Sequence, residues 1–210
     1  MAIITISRHF GAGGKTLGEE IAKKMGYTFL DDVILQEVAK KAKVSNEWVE
    51  GLEKEAGGRV SKFIANFISR SFIEKFVGED KGYIDEDIYV ELLHEIIRKF
   101  ADKDNVVFLG RGGQYILKDY PNAYHILLVA EYKDRVKFMM DHYKLSLEKA
   151  ESVVTSEDKR RLNLYKKFHK EDYDSPLLYN MVINTSRISM DKAIKMVCFM
   201  VECHLECVST

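Results

Sequence analysis

Residues 3–16 read IITISRHFGAGGKT and form the most informative stretch of the chain. Ile3 to Ile6 is rich in β-formers, and a helical pattern follows the glycines and ends at Gly26. A strand, a tight glycine loop and a helix are therefore predicted in direct succession. Because a helix N-terminus combines amides that lack intrahelical acceptors with the positive end of the dipole, this loop is a predicted phosphate site.

The end of the loop, Gly14-Lys15-Thr16, matches the end of a P-loop motif. In that motif the glycines let the backbone approach phosphate, the lysine supplies charge and the hydroxyl binds Mg²⁺. The first glycine of the motif would fall at His9, so the match is incomplete. A glycine cluster that only forms a tight turn is the alternative interpretation.

ATP and Mg²⁺ are the cofactors that we predict for this loop. Two registers are open. Either Lys15 reaches the β- and γ-phosphates, or Gly14 stands in the lysine's place and the charge comes from Arg8 or from an arginine of a lid formed by the basic segment at 156–176. We expect Lys15, as a catalytic cation, because a cation at a helix N-terminus opposes the dipole unless it has an anionic ligand. The residues predicted to bind the cofactors are Arg8, Gly11, Ala12, Gly13, Gly14, Lys15 and Thr16, with Thr16 as the metal ligand.

Four later apolar runs predict further strands, and helical patterns separate them. These runs are Tyr27 to Leu30, Val106 to Leu109, Ala123 to Ala130 and Met181 to Asn184. Strands that alternate with helices predict a parallel, doubly wound α/β sheet of about five strands. We predict a single domain over residues 1–210, with a helical insertion at 33–100 and a basic lid segment at 156–176.

Composition limits the classes of protein to which the chain can belong. With 46% hydrophobic and 31% charged residues and a net charge of −1, it is neither a disordered chain nor a globally basic nucleic-acid binder. Its apolar N-terminal run is too short for a signal sequence or a membrane span. Its three cysteines fit reduced thiols on a C-terminal helix, so we expect a cytoplasmic protein without nucleic-acid or membrane partners.

An apolar stripe lies within the predicted insertion, at residues 60–76. Its width suits either a cover over a bound substrate or the interface of a homodimer. The sequence leaves both interpretations open.

Arg111 directly follows the apolar run that ends at Leu109, and glycines flank it on both sides. Ligands of open α/β sheets bind outside the carboxyl ends of the strands. A guanidinium there can hold a phosphate through two parallel hydrogen bonds, so we predict Arg111 as a catalytic, phosphate-binding residue. The alternative is an arginine that satisfies nearby carbonyls or an acidic surface group.

The segment from Lys159 to Lys170 contains six Lys or Arg residues and no Asp or Glu. Such a run is often a solvated helix face, and a nucleic-acid patch is a further alternative that the acidic residues at 171–174 disfavour. We predict instead a lid whose arginines, Arg160 and Arg161, close over transferring phosphates as catalytic residues.

Four segments in this order resemble the cytidylate kinase-like family, and the resemblance spans nearly the full chain. They are Ile4 to Lys15 (ITISRHFGAGGK), Val107 to Gly112 (VFLGRG), Asp158 to Arg161 (DKRR) and Ile183 to Ser186 (INTS). The resemblance implies phosphoryl transfer from ATP to a CMP-like nucleoside monophosphate or another small phosphorylated acceptor.

By the same resemblance, the loop from Gly11 to Thr16 would hold the donor phosphates and Arg111 the acceptor phosphate. Asp31 or Asp32 would lie near the acceptor as substrate-binding residues. Cytidylate kinases have an Asp where this chain has Gly112, which leaves the acceptor open.

Two other classes of function remain as alternatives. One is a non-catalytic nucleotide sensor. The other is an NAD(P)-binding oxidoreductase. Gly11-x-Gly13 opens a helix, and Asp31 or Asp32 ends the second strand about where a ribose-binding acid is expected, although Thr16 stands where the third glycine of that fingerprint belongs.

Overall fold

The structure, a computed structural model, is described here for most of the chain. The described residues are 2–31, 86–102, 105–167 and 172–208. They fall into two compact units, one made of residues 1–29 and 105–210 and the other of residues 30–104. The first unit contains the glycine loop, Arg111 and both predicted lid arginines.

Helices and strands alternate along the chain. In order they are β1 (Ile3–Arg8), α1 (Gly14–Met25), β2 (Thr28–Leu30), α2 (Glu86–Ala101), β3 (Val106–Leu109), α3 (Gly113–Ile116), β4 (Ala123–Val129), α4 (Tyr132–Tyr143), α5 (Leu147–Lys167), a 3₁₀ turn (Pro176–Leu178), β5 (Met181–Asn184) and α6 (Met190–Val208). All five predicted strands are present within one or two residues of their expected ends.

The strands form one sheet in the order β2-β3-β1-β4-β5. The pairs β1 with β3, β1 with β4 and β4 with β5 are all parallel, with Ile6 opposite Leu109 on one side and Ile126 on the other. Parallel neighbours need crossover connections, and the intervening helices supply them. The predicted doubly wound α/β sheet of five strands is confirmed.

Alternate residues of a strand point to the same face of the sheet, and on one face of this sheet these residues are apolar. Ile4 and Ile6 of β1 lie on this face and pack with helices α1 and α6, which contribute Leu17, Ile21 and Val197. All of these side chains are buried. This core fixes the start of α1 against the end of β1, where the glycine loop lies.

The opposite face of β1 carries polar side chains. Thr5 and Ser7 are buried there, and the Thr5 hydroxyl lies 2.7 Å from Nδ1 of His125. Burial lowers the pKa of His125 to about 4, so the ring is neutral near physiological pH. The neutral ring and the hydroxyl satisfy one another inside the fold.

The second unit is described at Leu30, at Asp31 and along α2, where Ile96, Ile97 and Phe100 are buried. Most of the predicted insertion at 33–100, including the apolar stripe at 60–76, lies outside the described residues. The insertion, the lid boundaries and the dimer contact therefore stay predictions.

No helix in the described ranges is long and apolar enough to cross a membrane. The three cysteines all fall on α6, as predicted, and Cys198 and Cys203 are free thiols.

Candidate active site

The glycine loop connects β1 to α1 through two left-handed residues. Gly11 has φ 83° and Gly13, the N-cap of α1, has φ 86°. Side chains disfavour this conformation, so the loop needs glycine at both places. The amide of Leu17 donates to the Gly13 carbonyl at 3.0 Å as the first helical bond, which leaves the preceding amides of the first turn without an intrahelical acceptor. The loop thus has the geometry of an anion site.

Two side chains hold the loop from outside. Nη1 of Arg135 donates to the Phe10 carbonyl at 3.1 Å, and the Thr185 hydroxyl donates to the Ala12 carbonyl at 3.1 Å. The buried Arg135 is itself fixed by both carboxylate oxygens of Asp158, at 2.9 and 3.0 Å. These supports were not predicted as site residues, although Asp158 and Thr185 belong to the segments DKRR and INTS.

Lys15 and Thr16 lie on the first turn of α1, and both are exposed. The Lys15 side chain is 62% exposed, with its ammonium 3.9 Å from Glu19, one turn along the helix. An exposed pair of this kind contributes little to stability, so Lys15 can change partner at small cost. The Thr16 hydroxyl is accessible as a metal ligand.

The structure fits Mg-ATP at this loop, because left-handed glycines, a helix N-terminus and a hydroxyl on the first turn coincide. Among the described residues, no group of three or more His, Cys, Asp and Glu side chains is placed to hold a metal ion. Mg²⁺ in phosphoryl-transfer sites commonly takes few protein ligands and binds the substrate phosphates, so Thr16 remains the proposed ligand.

Arg8, the last residue of β1, runs beside the glycines of two loops. A Cβ built on Gly14 would lie 2.9 Å from Cγ of Arg8, and one built on Gly110 would lie 2.2 Å from its Nη1. The arginine therefore passes the start of α1 and ends over the loop that follows β3.

The loop after β3 is conformationally unusual. Gly110, Arg111 and Gly112 have φ values of 80°, 58° and 72° in succession. For Arg111 this left-handed conformation costs about 1 to 2 kcal/mol, a strain that is typical of functional sites. Because β3 is the parallel neighbour of β1, Arg111 and the glycine loop both lie at the carboxyl ends of the strands.

The two predicted lid arginines are in different surroundings on α5. Arg160 is 58% exposed and lies 3.3 Å from Glu157 on the same helix. Arg161 is only 15% exposed and forms a bidentate pair with Asp174. Its Nη2 also donates to the Ser7 hydroxyl at 3.1 Å. Only Arg160 faces solvent, whereas Arg161 reaches inward to the end of β1.

A cluster of aromatic and amide side chains surrounds Arg161. The guanidinium lies 5.2 Å from the ring centre of Tyr165 and 4.9 Å from that of Tyr173. Nε2 of the buried Gln114 donates to the hydroxyls of Tyr165 at 3.1 Å and Tyr179 at 3.2 Å. Burial raises the pKa of Tyr179 far above its ordinary value, so its hydroxyl keeps its proton and donates to the Tyr173 carbonyl.

Asp174 connects this cluster to the glycine loop. Besides its pair with Arg161, one of its carboxylate oxygens lies 3.5 Å from Nε2 of His9. Burial alone would raise the pKa of Asp174, but hydrogen bonds from His9 and Arg161 outweigh it and hold the pKa at about 2. Asp174 is therefore ionised at neutral pH. Sequence reasoning missed it because its partner Arg161 is 13 residues away and no local sequence pattern pairs the two.

The predicted substrate acids lie in the other unit. Asp31 is buried directly after β2. Asp32 lies outside the described residues. Their place near an acceptor stays a prediction.

Comparisons with known proteins support the resemblance that the four motif segments indicate. A family model described as the cytidylate kinase-like family matches residues 3–187. A protein named cytidylate kinase from Thermoplasma acidophilum is 23% identical over 185 residues, which cover 87% of this chain and 82% of that protein.

Solved structures show the same fold. A crystal structure of an uncharacterized protein from Eubacterium ventriosum has a TM-score of 0.69 at 21% identity, and the match covers 96% of this chain and 99% of that one. A gluconokinase from Sinorhizobium meliloti has a TM-score of 0.54 at 12% identity, with coverage of 99% and 95%. The fold is that of P-loop kinases.

Proposed function

The chain belongs to the cytidylate kinase-like family, and we propose that it transfers a phosphoryl group from ATP to a nucleoside monophosphate, CMP-like, or to another small phosphorylated acceptor. The observation that carries the proposal is the placement of two glycine-rich loops at the carboxyl ends of the adjacent strands β1 and β3. One loop has the geometry of a helix-capping anion site, and the other presents a strained arginine. Two phosphate-suited elements side by side are what transfer between two phosphates requires.

In this proposal the backbone of residues 11–16 binds the donor phosphates, and the Thr16 hydroxyl holds the metal. Mg-ATP supplies the phosphoryl group and neutralises part of its charge. Either Lys15 or Arg8 adds the cationic side chain of the loop, according to register. Thr185 and Arg135 keep the loop in place through the Ala12 and Phe10 carbonyls.

Arg111 orients the acceptor phosphate in line with the donor. Its planar guanidinium can make two parallel hydrogen bonds, which fixes direction as well as position. The left-handed backbone of Arg111, with φ 58°, is a conformation that arginine rarely adopts. The surrounding loop therefore imposes this conformation and with it the position of the side chain.

Arg160 and Arg161 stabilise the charge that develops during transfer. Arg160 leaves an exposed pair with Glu157, which costs little. Arg161 acts from its position beside Ser7, next to the glycine loop, where burial among tyrosines strengthens its field.

Calorimetric titration with ATP and with NAD, each with Mg²⁺, tests the cofactor, and coupled ADP release with a panel of nucleoside monophosphates tests the acceptor. We expect ATP binding, no NAD binding, and ADP release that depends on one monophosphate. Tight NAD binding without ATP binding would overturn the kinase proposal, and ATP binding with no acceptor-dependent ADP release would favour a nucleotide sensor.

A further inference from the structure

The backbone conformation of Gly14 does not require glycine. It is the first residue of α1 and does not have the positive φ that requires glycine at Gly11 and Gly13. The explanation is space: a Cβ on Gly14 would lie 2.9 Å from Cγ and 3.3 Å from Cβ of Arg8.

The side chain of Arg8 thus fills the volume in which a side chain at the first helical residue would begin. Its far end lies over Gly110, where an added Cβ would be 3.3 Å from Cζ and 3.7 Å from Nη2. One arginine therefore extends from the start of α1 to the loop that carries Arg111.

Lys15 points elsewhere. Its side chain is 62% exposed, and its ammonium lies near Glu19, in the direction of the C-terminus of α1. That direction leads away from the loop, because Glu19 lies four residues further along the helix.

We propose that Arg8 is the cation of this P-loop: its guanidinium enters the site from the end of β1 and binds the terminal phosphates of a nucleoside triphosphate in the place that a lysine at position 14 would serve. The proposal rests on the proposed nucleotide-binding function and selects the register in which Gly14 stands in the lysine's place. In that register the hydroxyl position of the motif falls at Lys15, so the assignment of Thr16 as the metal ligand belongs to the other register. A guanidinium differs from an ammonium in binding two phosphate oxygens at once. Lying over Gly110, Arg8 also brings positive charge to the side of the loop where Arg111 stands, between donor and acceptor.

A variant that removes the arginine at position 8 and places a lysine at position 14 tests the proposal. In the double variant Arg8→Ala with Gly14→Lys, the arginine Cγ that lies 2.9 Å from the built Cβ is gone. The nearest remaining neighbours are a methyl of Leu109 at 3.1 Å and the Cβ of residue 8 at 3.3 Å. ATP and inorganic tripolyphosphate are titrated calorimetrically into the wild type, Arg8→Ala, Arg8→Lys, Lys15→Ala, Gly14→Lys and the double variant. Lys23→Ala, on the last turn of α1, is the matched control for loss of one exposed charge.

We expect Arg8→Ala to weaken ATP and tripolyphosphate binding about tenfold to a hundredfold, the loss expected for one charge-assisted contact. Lys15→Ala and Lys23→Ala should weaken it less than about threefold, since an exposed charge contributes little. The double variant should recover most of the lost affinity, whereas Gly14→Lys alone should not bind better than the wild type because Arg8 blocks the slot. Thermal unfolding without ligand shows whether each variant is folded.

Each other outcome contradicts the proposal at a defined point. A large loss in Lys15→Ala with an unchanged Arg8→Ala would overturn the assignment of Arg8 and leave the kinase proposal standing. Loss in Arg8→Ala without recovery in the double variant would show that Arg8 does not occupy a lysine's place. A wild type that binds neither ATP nor tripolyphosphate would overturn both proposals. If Arg8→Ala does not fold, Arg8→Lys and Arg8→Gln replace it, and equal affinity in these two variants would overturn the role of the charge.

Discussion

At Arg161, burial and charge act in opposite directions. Burial alone lowers the pKa of a guanidinium, but the hydrogen bonds and the charge of Asp174 raise it above its ordinary value. The pair therefore stays ionised, and each partner depends on the other for compensation. His9, the first residue of the glycine loop, also lies 3.5 Å from Asp174. A change in the ion pair of Arg161 and Asp174 therefore also affects a contact of the glycine loop.

Asp174→Asn should lower the free energy of unfolding at neutral pH by about 1 to 2 kcal/mol, allowing for the partial exposure of the carboxylate. The pKa of Asp174 is about 2 in the folded protein against an ordinary value of 3.8. The folded state thus binds fewer protons than the unfolded state between these values, so stability from this group is present above about pH 4 and is lost as pH falls towards 2.

Chemical denaturation at several pH values checks this expectation, with Asp119→Asn, an exposed residue, as control. The difference between wild type and Asp174→Asn should shrink as the pH is lowered. A difference that stays constant down to pH 2, or that is absent at neutral pH, would show that the Arg161 pair does not stabilise the fold.

Arg111→Lys should impair use of the acceptor more than binding of ATP, because a single ammonium cannot reproduce the two-pronged contact of a guanidinium. We expect kcat/KM for the acceptor to fall about tenfold or more and the dissociation constant of ATP to change less than about threefold. Arg187→Lys, at an exposed arginine, is the matched control. Unchanged acceptor kinetics would return Arg111 to a structural role.

At the scale of elements, α5 is longer than its apolar pattern predicts. The pattern indicates a helix from about residue 146 to 154, but the helix continues to Lys167. The continuation is rich in Lys and Arg and has little apolar periodicity, so hydrophobic spacing does not reveal it. Its inward face is instead polar and aromatic, with Arg161 and the buried Tyr165 packed at the end of β1. That packing depends on distant segments and cannot be read from local sequence.

Substitutions of Arg160 and of Arg161 should have different effects on turnover and stability. Arg160→Ala should lower kcat about tenfold or more with little change in ATP affinity or in stability, because its pair with Glu157 is exposed. Arg161→Ala should lower kcat and also destabilise the fold, since it leaves Asp174 without its main partner.

Steady-state kinetics, ATP titration and thermal unfolding of both variants distinguish these effects. Equal losses of ATP affinity and turnover in Arg160→Ala would indicate ground-state docking. A fully stable Arg161→Ala variant would contradict the structural half of the expectation.

Thr185 links the end of β5 to the glycine loop, so its hydroxyl should matter for nucleotide binding. It donates to the Ala12 carbonyl and lies 3.3 Å from the Val129 carbonyl. Thr185→Val keeps the shape and removes the donor, which should cost about 1 kcal/mol of stability and weaken ATP binding several-fold.

The matched control is Thr155→Val, an exposed threonine of α5 whose hydroxyl lies 3.4 Å from that of Tyr132. Both variants are compared by ATP titration and denaturation. Equal behaviour of the two would mean that the loop does not depend on Thr185.

For the molecule as a whole, the sheet was predictable because strands buried on both faces are continuous apolar runs, as in Val106 to Leu109. The glycine loop was predictable because a strand, glycines and a helix follow one another. The supports of the site were not, because Arg135 and Asp174 meet the loop only through tertiary packing. The course of the Arg8 side chain across Gly14 is likewise a property of the folded chain.

The central claim is that the two loops at the ends of β1 and β3 bind a donor and an acceptor for phosphoryl transfer. Incubation with Mg-ATP labelled in its γ-phosphate and each nucleoside monophosphate in turn, CMP first, tests it directly. We predict that the label moves into one monophosphate to give a diphosphate, and that Arg111→Lys slows this transfer. Bound ATP whose label stays in place, or is released only as inorganic phosphate with every acceptor, would contradict the claim.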